Sequence, residues 1–482
     1  MNSLQIDARR FHDQVLGCWM GKNIGGTLGA PYECLRHAHA LTFYDPVPDK
    51  PAPNDDLDLQ LIWLKLLEDH GTDAPLPLLA EYWSRHAASY PWNEYGFFMR
   101  NYSRGLRPPV AGCFENYFVD EEGSPIRSEI WACLHAGDPQ EAAEAAWKDS
   151  ALDHAGGEGT CGEMLWAALE AAAFVERDPL TLIRIGLEMI PLSSHIARSV
   201  REAVWCWENG LNWGRARQRI ESRFGCIQSC NAVPNSGFVI LGWLYGKDFG
   251  DRLCKAVNCG YDTDCTGATL GSILGILDGA SAIPDKWVRP IGRDIVTHEF
   301  TRNFTPPATL DDLAERTVAL ARKAAEDKEH IAFGDRERLP DDLRSRLFRN
   351  ERAIAALAQD IHMGVEMLGS ETVELHYGGE PVLRPGVARE VWVTQGGASA
   401  ADAKLRVPEG WTCEPLGAGR FRLACAGSVA DRNTVTVVLD GRGEVAFTIL
   451  GPGEAKGFAA GANVEKCPKC HARVEACICE TR

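Results

Sequence analysis

The chain has 482 residues, 45% of them hydrophobic and 24% charged, a globular composition that argues against disorder and a length that calls for two or three domains. Its 50 lysines and arginines against 67 aspartates and glutamates leave a net charge of −17, which repels phosphate backbones and argues against general nucleic-acid binding. No run of about 18 apolar residues occurs, so no membrane span is expected.

The N-terminus, MNSLQIDARRFHDQVLGCWM, carries Asp7, Arg9, Arg10 and Asp13 and has no apolar core of the kind a secretory signal needs. The 17 cysteines therefore read as free thiols in a reducing, cytoplasmic setting rather than as a disulfide framework. Cys18, Cys133 and Cys206 sit in apolar helical patterns and read as small core residues. The next stretch, GCWMGKNIGGTLGAPYE at 17–33, holds five glycines in a helical context. Each costs about 1 kcal/mol of helix stability against alanine, which implies tight packing or a backbone that approaches a ligand. A phosphate loop is excluded, because GxxxxGK[ST] is absent.

In PNDDLDLQLIWLKLL at 53–67, Asn54 is a good N-cap and places Asp55 and Asp56 in the first helical turn. Acids there either complement the helix dipole or serve as ligands. Amphipathic, alanine-rich stretches recur at 57–70, 76–88, 138–150, 161–176, 196–209, 251–257, 266–280 and 309–326, with glycine and proline between them. No strand alternation is evident before 330, so residues 1–330 are predicted to form an all-α orthogonal helical bundle. Within it, Asn116 and Arg127 lie in a connecting region and could contact substrate hydroxyls. His154 stands before Gly-Gly, as a turn residue or a pocket residue.

In NCGYDTDCTGATLGSILGILDG at 258–279, Asp262 and Asp264 bracket one residue at a helix start and can turn toward one centre. Gly267, Ala268, Gly271, Ser272 and Gly275 let a neighbouring helix come close. Hard carboxylate oxygens suit Mg²⁺ or Mn²⁺; the alternative is a capped helix in a tight bundle.

Residues 331–368 are charged and read as a helical connector. From 369 to 451 the texture changes to short β-branched runs (TVELHYGG, REVWVTQ, AKLRV, FRLAC, TVTVVLD, EVAFTIL), which predict a small immunoglobulin-like β-sandwich. The phrase VPEGWTCEP resembles modules of that type appended to bacterial carbohydrate-active enzymes. Residues 452–482 form a Gly/Ala-rich linker and a tail in which Cys467, Cys470, Cys477 and Cys479 make CxxC-x₆-CxC with His471 inside. Four thiolates at that spacing suit a closed, structural zinc knuckle; the alternative is a flexible tail with reactive thiols.

Three segments together, Gly17 to Glu33, Asn54-Asp55-Asp56 and Gly260 to Ala268, resemble the ADP-ribosylglycohydrolases, the family of the dinitrogenase reductase-activating glycohydrolases. AIPDKW at 282–287 is similar to that family's sequence after its last helix, and the resemblance covers roughly residues 12–325. It implies an all-α domain with a dinuclear Mg²⁺ site (Mn²⁺ possible) ligated by Asp55, Asp56, Asp262 and Asp264, with Asp264 bridging. Glu33 matches the family's glutamate beside the site, and His154 its substrate-pocket histidine. Asn54 and Cys265 stand where the family carries threonine ligands; an amide oxygen can replace a threonine at a hard cation, whereas a soft sulfur does so poorly.

The implied activity is metal-dependent hydrolysis of a glycosidic bond at a ribose-like anomeric carbon, of an ADP-ribosylated substrate or ADP-ribose derivative. Glu33, Asp56 and Asp264 are the expected catalytic residues. The alternatives are hydrolysis of a free nucleoside or other small glycoside, and a non-catalytic binding protein that keeps the fold.

Overall fold

A computed structural model of the chain describes residues 3–90, 92–326 and 328–454. The cysteine tail with Cys467, Cys470, Cys477 and Cys479 lies outside the described residues. The first part of the chain is helical: α1 (Ala8–Gly29), α2 (Asp55–His70), α3 (Leu76–His86), α4 (Asn93–Ser103), α5 (Val110–Cys113), α6 (Ser128–Leu134), α7 (Pro139–Ser150), α8 (Glu158–Ala173) and α9 (Pro179–Glu188). It continues through α10 (His195–Glu208), α11 (Trp213–Phe224), α12 (Ala232–Tyr245), α13 (Phe249–Val257), α14 (Thr263–Asp278), α15 (Asp285–Val288) and α16 (Leu310–Ala325). Among the described residues, no helix is long and apolar enough to cross a membrane.

The eight helices predicted from amphipathic periodicity are all present within a few residues. α1 and α12 are outside that set: each is buried on nearly every side and shows little apolar stripe, whereas α8 and α14, buried as completely, are marked by their runs of small and alanine residues. α1 is buried almost continuously from Gln14 to Gly29, and α12 from Ala232 to Trp243. Asp7 caps α1, its Oδ1 accepting from the Arg9 and Arg10 amides at 3.0 and 2.8 Å.

The central packing joins α1 to α14, antiparallel and backbone to backbone. A Cβ added at Gly17, Gly21 or Gly25 would lie 2.3, 1.9 and 1.9 Å from the carbonyl oxygens of Gly275, Gly271 and Gly267. From the other side, a Cβ at Gly271 or Gly275 would lie 2.0 or 1.9 Å from the carbonyls of Gly21 and Gly17. The glycine cost noted in the sequence is thus the cost of letting two helices touch without side chains between them. Gly26 faces a third element, where a Cβ would meet Asn54 Nδ2 at 1.9 Å.

Two expectations need correction. The helical region also contains strand structure: β1 (Leu4–Asp7) pairs in parallel with β2 (Ile331–Gly334), Leu4 opposite Ile331. Two four-residue strands carry too little alternation to be read from sequence. The segment 331–368, expected to be a helical connector, holds β2, the short helices α17 (Leu343–Leu347) and α18 (Glu351–Leu357), and β3 (Met363–Leu368). MGVEML is rich in helix formers, but pairing with β4 (Glu371–His376) overrides that preference. The Val365 amide also donates to the Pro108 carbonyl at 3.1 Å, docking β3 on the helical part.

The C-terminal region is all-β. One antiparallel sheet runs β3-β4-β5-β9-β8, with β5 (Arg389–Gln395), β8 (Trp411–Gly417) and β9 (Arg420–Cys425), and the short β6 (Ala398–Ser399) beside β5. The other runs β11-β10-β7, with β7 (Ala403–Arg406), β10 (Arg432–Leu439) and β11 (Gly443–Leu450). Val391, Val393 and Leu423 of the first and Val435, Val437 and Phe447 of the second are buried in the hydrophobic core.

The helix contact makes a sharp prediction. Gly21→Ala should lower unfolding stability by about 3 kcal/mol or more, because backbone blocks the new methyl from the facing helix. Gly96→Ala, at an exposed position of α4 with nothing within 4 Å of its Cβ position, should raise it by about 0.5–1 kcal/mol. Urea unfolding of the two variants checks both signs.

Candidate active site

The glycine contact sets the site. Gly29, at the end of α1, lies on the first turn of α14, where its Cβ would meet the Thr263 carbonyl oxygen at 2.1 Å and Thr263 Oγ1 donates to the Gly29 carbonyl at 2.8 Å. After a single turn, Ala30–Tyr32, the chain presents Glu33. Its carboxylate lies with those of Asp262 and Asp264 in a group whose ligand atoms are all within 4.8 Å of one another. Asn54, seated on Gly26, brings the first turn of α2 to the same place. Asp56, Asp264 and Cys265 form a second group within the same 4.8 Å limit.

The backbone around Asp262 is held firmly. The Cys34 amide donates to the Tyr261 carbonyl at 2.9 Å and the Tyr261 amide to the Leu35 carbonyl at 3.1 Å. Both Cys34 and Tyr261 are in the left-handed region, φ 65° and 72°, a local cost of the kind that accumulates at functional sites. The Asp262 amide donates to Asn235 Oδ1 at 3.2 Å.

Several carboxylate oxygens here have no hydrogen-bond partner. Asp56 Oδ1 and Oδ2, Asp262 Oδ1 and Asp264 Oδ1 are buried without a hydrogen bond. Asp262 occupies the N-cap position of α14 yet makes no side-chain capping bond, so capping does not explain its carboxylate. Asn54 does cap: its Oδ1 accepts from the Asp56 amide at 2.7 Å, which engages one lone pair of the oxygen expected to act as a ligand. Asp55 Oδ2 accepts from Trp92 Nε1 at 2.7 Å.

Burial, and then mutual repulsion, pushes the Asp56 and Asp264 carboxyls well above the usual range, and burial raises Asp55 and Asp262 too. Glu33 stands exposed at the rim, yet the protein around it and then the Asp262 charge push its carboxyl up to about 8. Such a cluster is unfavourable on its own and is relieved by a multivalent cation. Unpartnered oxygens from two helix starts suit hard ions such as Mg²⁺ or Mn²⁺. Cys265 adds a buried sulfur beside Asp56 and Asp264.

One protein cation lies behind the cluster. Lys22 Nζ is 2.7 Å from Glu129 Oε1 and 3.7 Å from Asp56 Oδ1, with all three side chains fully buried. Burial alone would lower its pKa, but Glu129 and Asp56 outweigh that and hold it above the ordinary value. Gln60 Nε2 donates to the other Glu129 oxygen at 2.6 Å.

The structure also relocates three sequence candidates. Arg127 is fully buried; its guanidinium donates to the Gly123 carbonyl at 2.8 Å and to both Asp153 oxygens at 2.9 Å, so it braces the core rather than meeting a substrate. Asn116 is likewise engaged: its Nδ2 donates to the Gly112 and Asp153 carbonyls and its Oδ1 accepts from the Phe118 amide. His154 is buried, its Nδ1 2.6 Å from Asp153 Oδ1 and its Nε2 without a partner.

Sequence reasoning missed Lys22, Trp92, Glu94 and Glu122. Burial, with Asp262 and Asp56, pushes the buried Glu122 carboxyl well up; Glu94 rises to about 8, from burial first and then nearby carboxylates including Asp55 and Asp262. Lys22 left a trace, as the one charge in the glycine-rich stretch 17–29 of α1. The acids of the DEEGSP turn left none, because such residues are ordinarily solvated.

Residues 7–328 match the family model for ADP-ribosylglycohydrolase. Among solved structures, one titled "ADP-ribosylglycohydrolase-related protein complex" is similar at 20% identity and a TM-score of 0.44, covering 66% of this chain and 99% of that chain. No curated protein sequence matches.

Two outcomes follow from the electrostatics. Lys22→Met should cost about 3–5 kcal/mol, as removal of one member of a buried ion group does, and adding Glu129→Gln should recover part of it, both read by urea unfolding. Mg²⁺ should raise the Tm of the parent protein reversibly with chelator, as any ligand of the native state does. Asp264→Asn should have a higher chelated Tm than the parent, with one buried charge fewer, and should lose the Mg²⁺ response.

Proposed function

The chain belongs to the ADP-ribosylglycohydrolase family, and on that premise we propose that it hydrolyses a glycosidic bond at the ribose anomeric carbon of an ADP-ribosylated substrate or ADP-ribose derivative. The observation that carries this reading is the convergence of buried, unpartnered carboxylate oxygens from Asp56, Asp262 and Asp264 beneath an accessible Glu33. Asp55, Asp56, Asp262 and Asp264, with the Asn54 amide oxygen, would hold two Mg²⁺ ions, or Mn²⁺ in their place. Bound there, the ions would supply positive charge for holding ribose hydroxyls and orienting a water.

The remaining chemistry falls to the chain. Glu33, at the rim and beside Asp262 and Asp264, accepts the proton of the attacking water. The carboxylate-rich wall favours the oxocarbenium character that develops as the leaving group departs. Lys22, locked to Glu129, fixes Asp56 from behind. The proposal extends to an immunoglobulin-like β-region, a structural zinc at Cys467, Cys470, Cys477 and Cys479, and a cytoplasmic setting.

A second reading keeps the site and changes the substrate to a free nucleoside or other small glycoside. The buried Cys265 thiol among the carboxylates favours it, because it departs from the family's ligand pattern at that position.

The test is a panel of ADP-ribosyl-arginine, ADP-ribosyl-serine, O-acetyl-ADP-ribose and simple ribonucleosides, each with Mg²⁺, Mn²⁺ or EDTA, following release of the ribose product. Metal-dependent release from an ADP-ribosyl compound is expected, falling about 100-fold or more in Asp56→Asn and Asp264→Asn. Full turnover in both variants would refute the site. Release from ribonucleosides alone would select the second reading.

A further inference from the structure

A second set of ligand atoms stands at the mouth of the carboxylate cluster. Glu33, Cys34 and Cys230 bring one carboxylate oxygen and two sulfurs within 4.8 Å of one another. Both thiols are free, Cys34 exposed and Cys230 half-buried, so an ion can reach them from solvent. The Cys34 thiol donates to Glu33 Oε1 at 3.9 Å, and the two thiols are within hydrogen-bonding reach of each other.

The sulfurs come from segments far apart in sequence, and backbone bonds fix both. Cys34 is held by its amide on Tyr261, and its carbonyl accepts from Ser229 Oγ at 3.4 Å. The Cys230 carbonyl accepts from the Glu122 amide at 2.7 Å. Asp262, which is 2% exposed with an unpartnered Oδ1, shares a hydrogen bond with Cys230 and backs the group from inside.

We propose that Glu33, Cys34 and Cys230 form a binding site for a thiophilic divalent cation of the zinc class, at the mouth of the aspartate cluster and sharing Glu33 with it. Tetrahedral zinc, with bonds of about 2.3 Å to sulfur and 2.0 Å to oxygen, holds its ligands roughly 3.5–3.8 Å apart. From separations of 4.8 Å or less, the side chains reach that spacing by closing in by about 1.3 Å at most. Each thiol gives its proton to solvent as its sulfur binds the metal, and nothing is oxidised. Mg²⁺ is excluded from the position because it discriminates against sulfur. Three protein ligands leave a fourth place for water or Asp262. Where the proposed hydrolase activity holds, zinc here occupies Glu33 and inhibits; that consequence rests on the functional reading, while the binding does not.

The experiment uses the full, reduced, metal-free chain, titrated with Zn²⁺ against a chromophoric chelator. The parent should bind one more zinc per chain than Cys34→Ser/Cys230→Ser, whatever the C-terminal cysteines contribute to both. Co²⁺ in place of zinc should give a thiolate-to-cobalt charge-transfer band that the double variant weakens. Cys34→Ser alone, at an exposed position that leaves the core intact, should weaken this site by at least the ~10–100-fold that loss of a supporting partner costs other metal sites. Equal zinc stoichiometry in parent and double variant, with an unchanged cobalt spectrum, overturns the proposal. So does a Cys34–Cys230 pair that oxidises to a disulfide but takes up no zinc when reduced. No substrate is needed, so failure here leaves the hydrolase reading standing, and failure of the substrate panel leaves this one.

Discussion

Two helices that touch backbone to backbone govern this molecule. α1 and α14 bury glycine against glycine at Gly17–Gly275, Gly21–Gly271 and Gly25–Gly267, so their relative position cannot be adjusted by side-chain rotamers. That rigidity has a local consequence at one end. The last turn of α1 is pinned to the first turn of α14, and the residues just beyond, Glu33 and Asp262-Thr263-Asp264, meet without any long side chain between them. Gly26 extends the same device to a third element by seating Asn54, and with it Asp55 and Asp56. Three chain segments that begin or end at one point are the geometric origin of the site.

What gathers there is electrostatically unfavourable by itself. Several carboxylates share a buried volume, and the nearest protein cation, Lys22, is already paired with Glu129 at 2.7 Å. Its 3.7 Å approach to Asp56 offsets part of the repulsion and leaves the rest. Buried charges are tolerated when paired or bound to metal, and the unpartnered oxygens of Asp56, Asp262 and Asp264 make the second explanation the economical one. The fold thus keeps a destabilised centre poised, held in place by packing that does not depend on it.

Hard and soft donors are sorted by depth. The deep cluster is oxygen-rich with one sulfur, Cys265, at its wall; the mouth has two sulfurs, Cys34 and Cys230, and the shared carboxylate of Glu33. Glu33 belongs to both groups, so occupancy at the mouth and chemistry below it are coupled through one residue.

The sequence by itself determined the class of each region: helices where apolar periodicity is strong, strands where short β-branched runs alternate, and acids at two helix starts. It placed Asp55, Asp56, Asp262, Asp264, Glu33 and Cys265 as candidates, and the structure brings them to one place. Other features were illegible for physical reasons. α1 and α12 are buried on nearly every side and lack the alanine-rich or small-residue runs that marked the equally buried α8 and α14, and β3 is written in helix-forming residues that pairing overrides. Arg127 and Asn116 look like solvated loop residues in sequence, but their partners, Gly123, Asp153 and Gly112, close around them only in the folded chain. Cys34 and Cys230 are unrelated in sequence and adjacent in space. Periodicity and capping are short-range properties that a linear chain records. Which distant groups share one buried volume is decided by packing, here by how closely two glycine faces can approach.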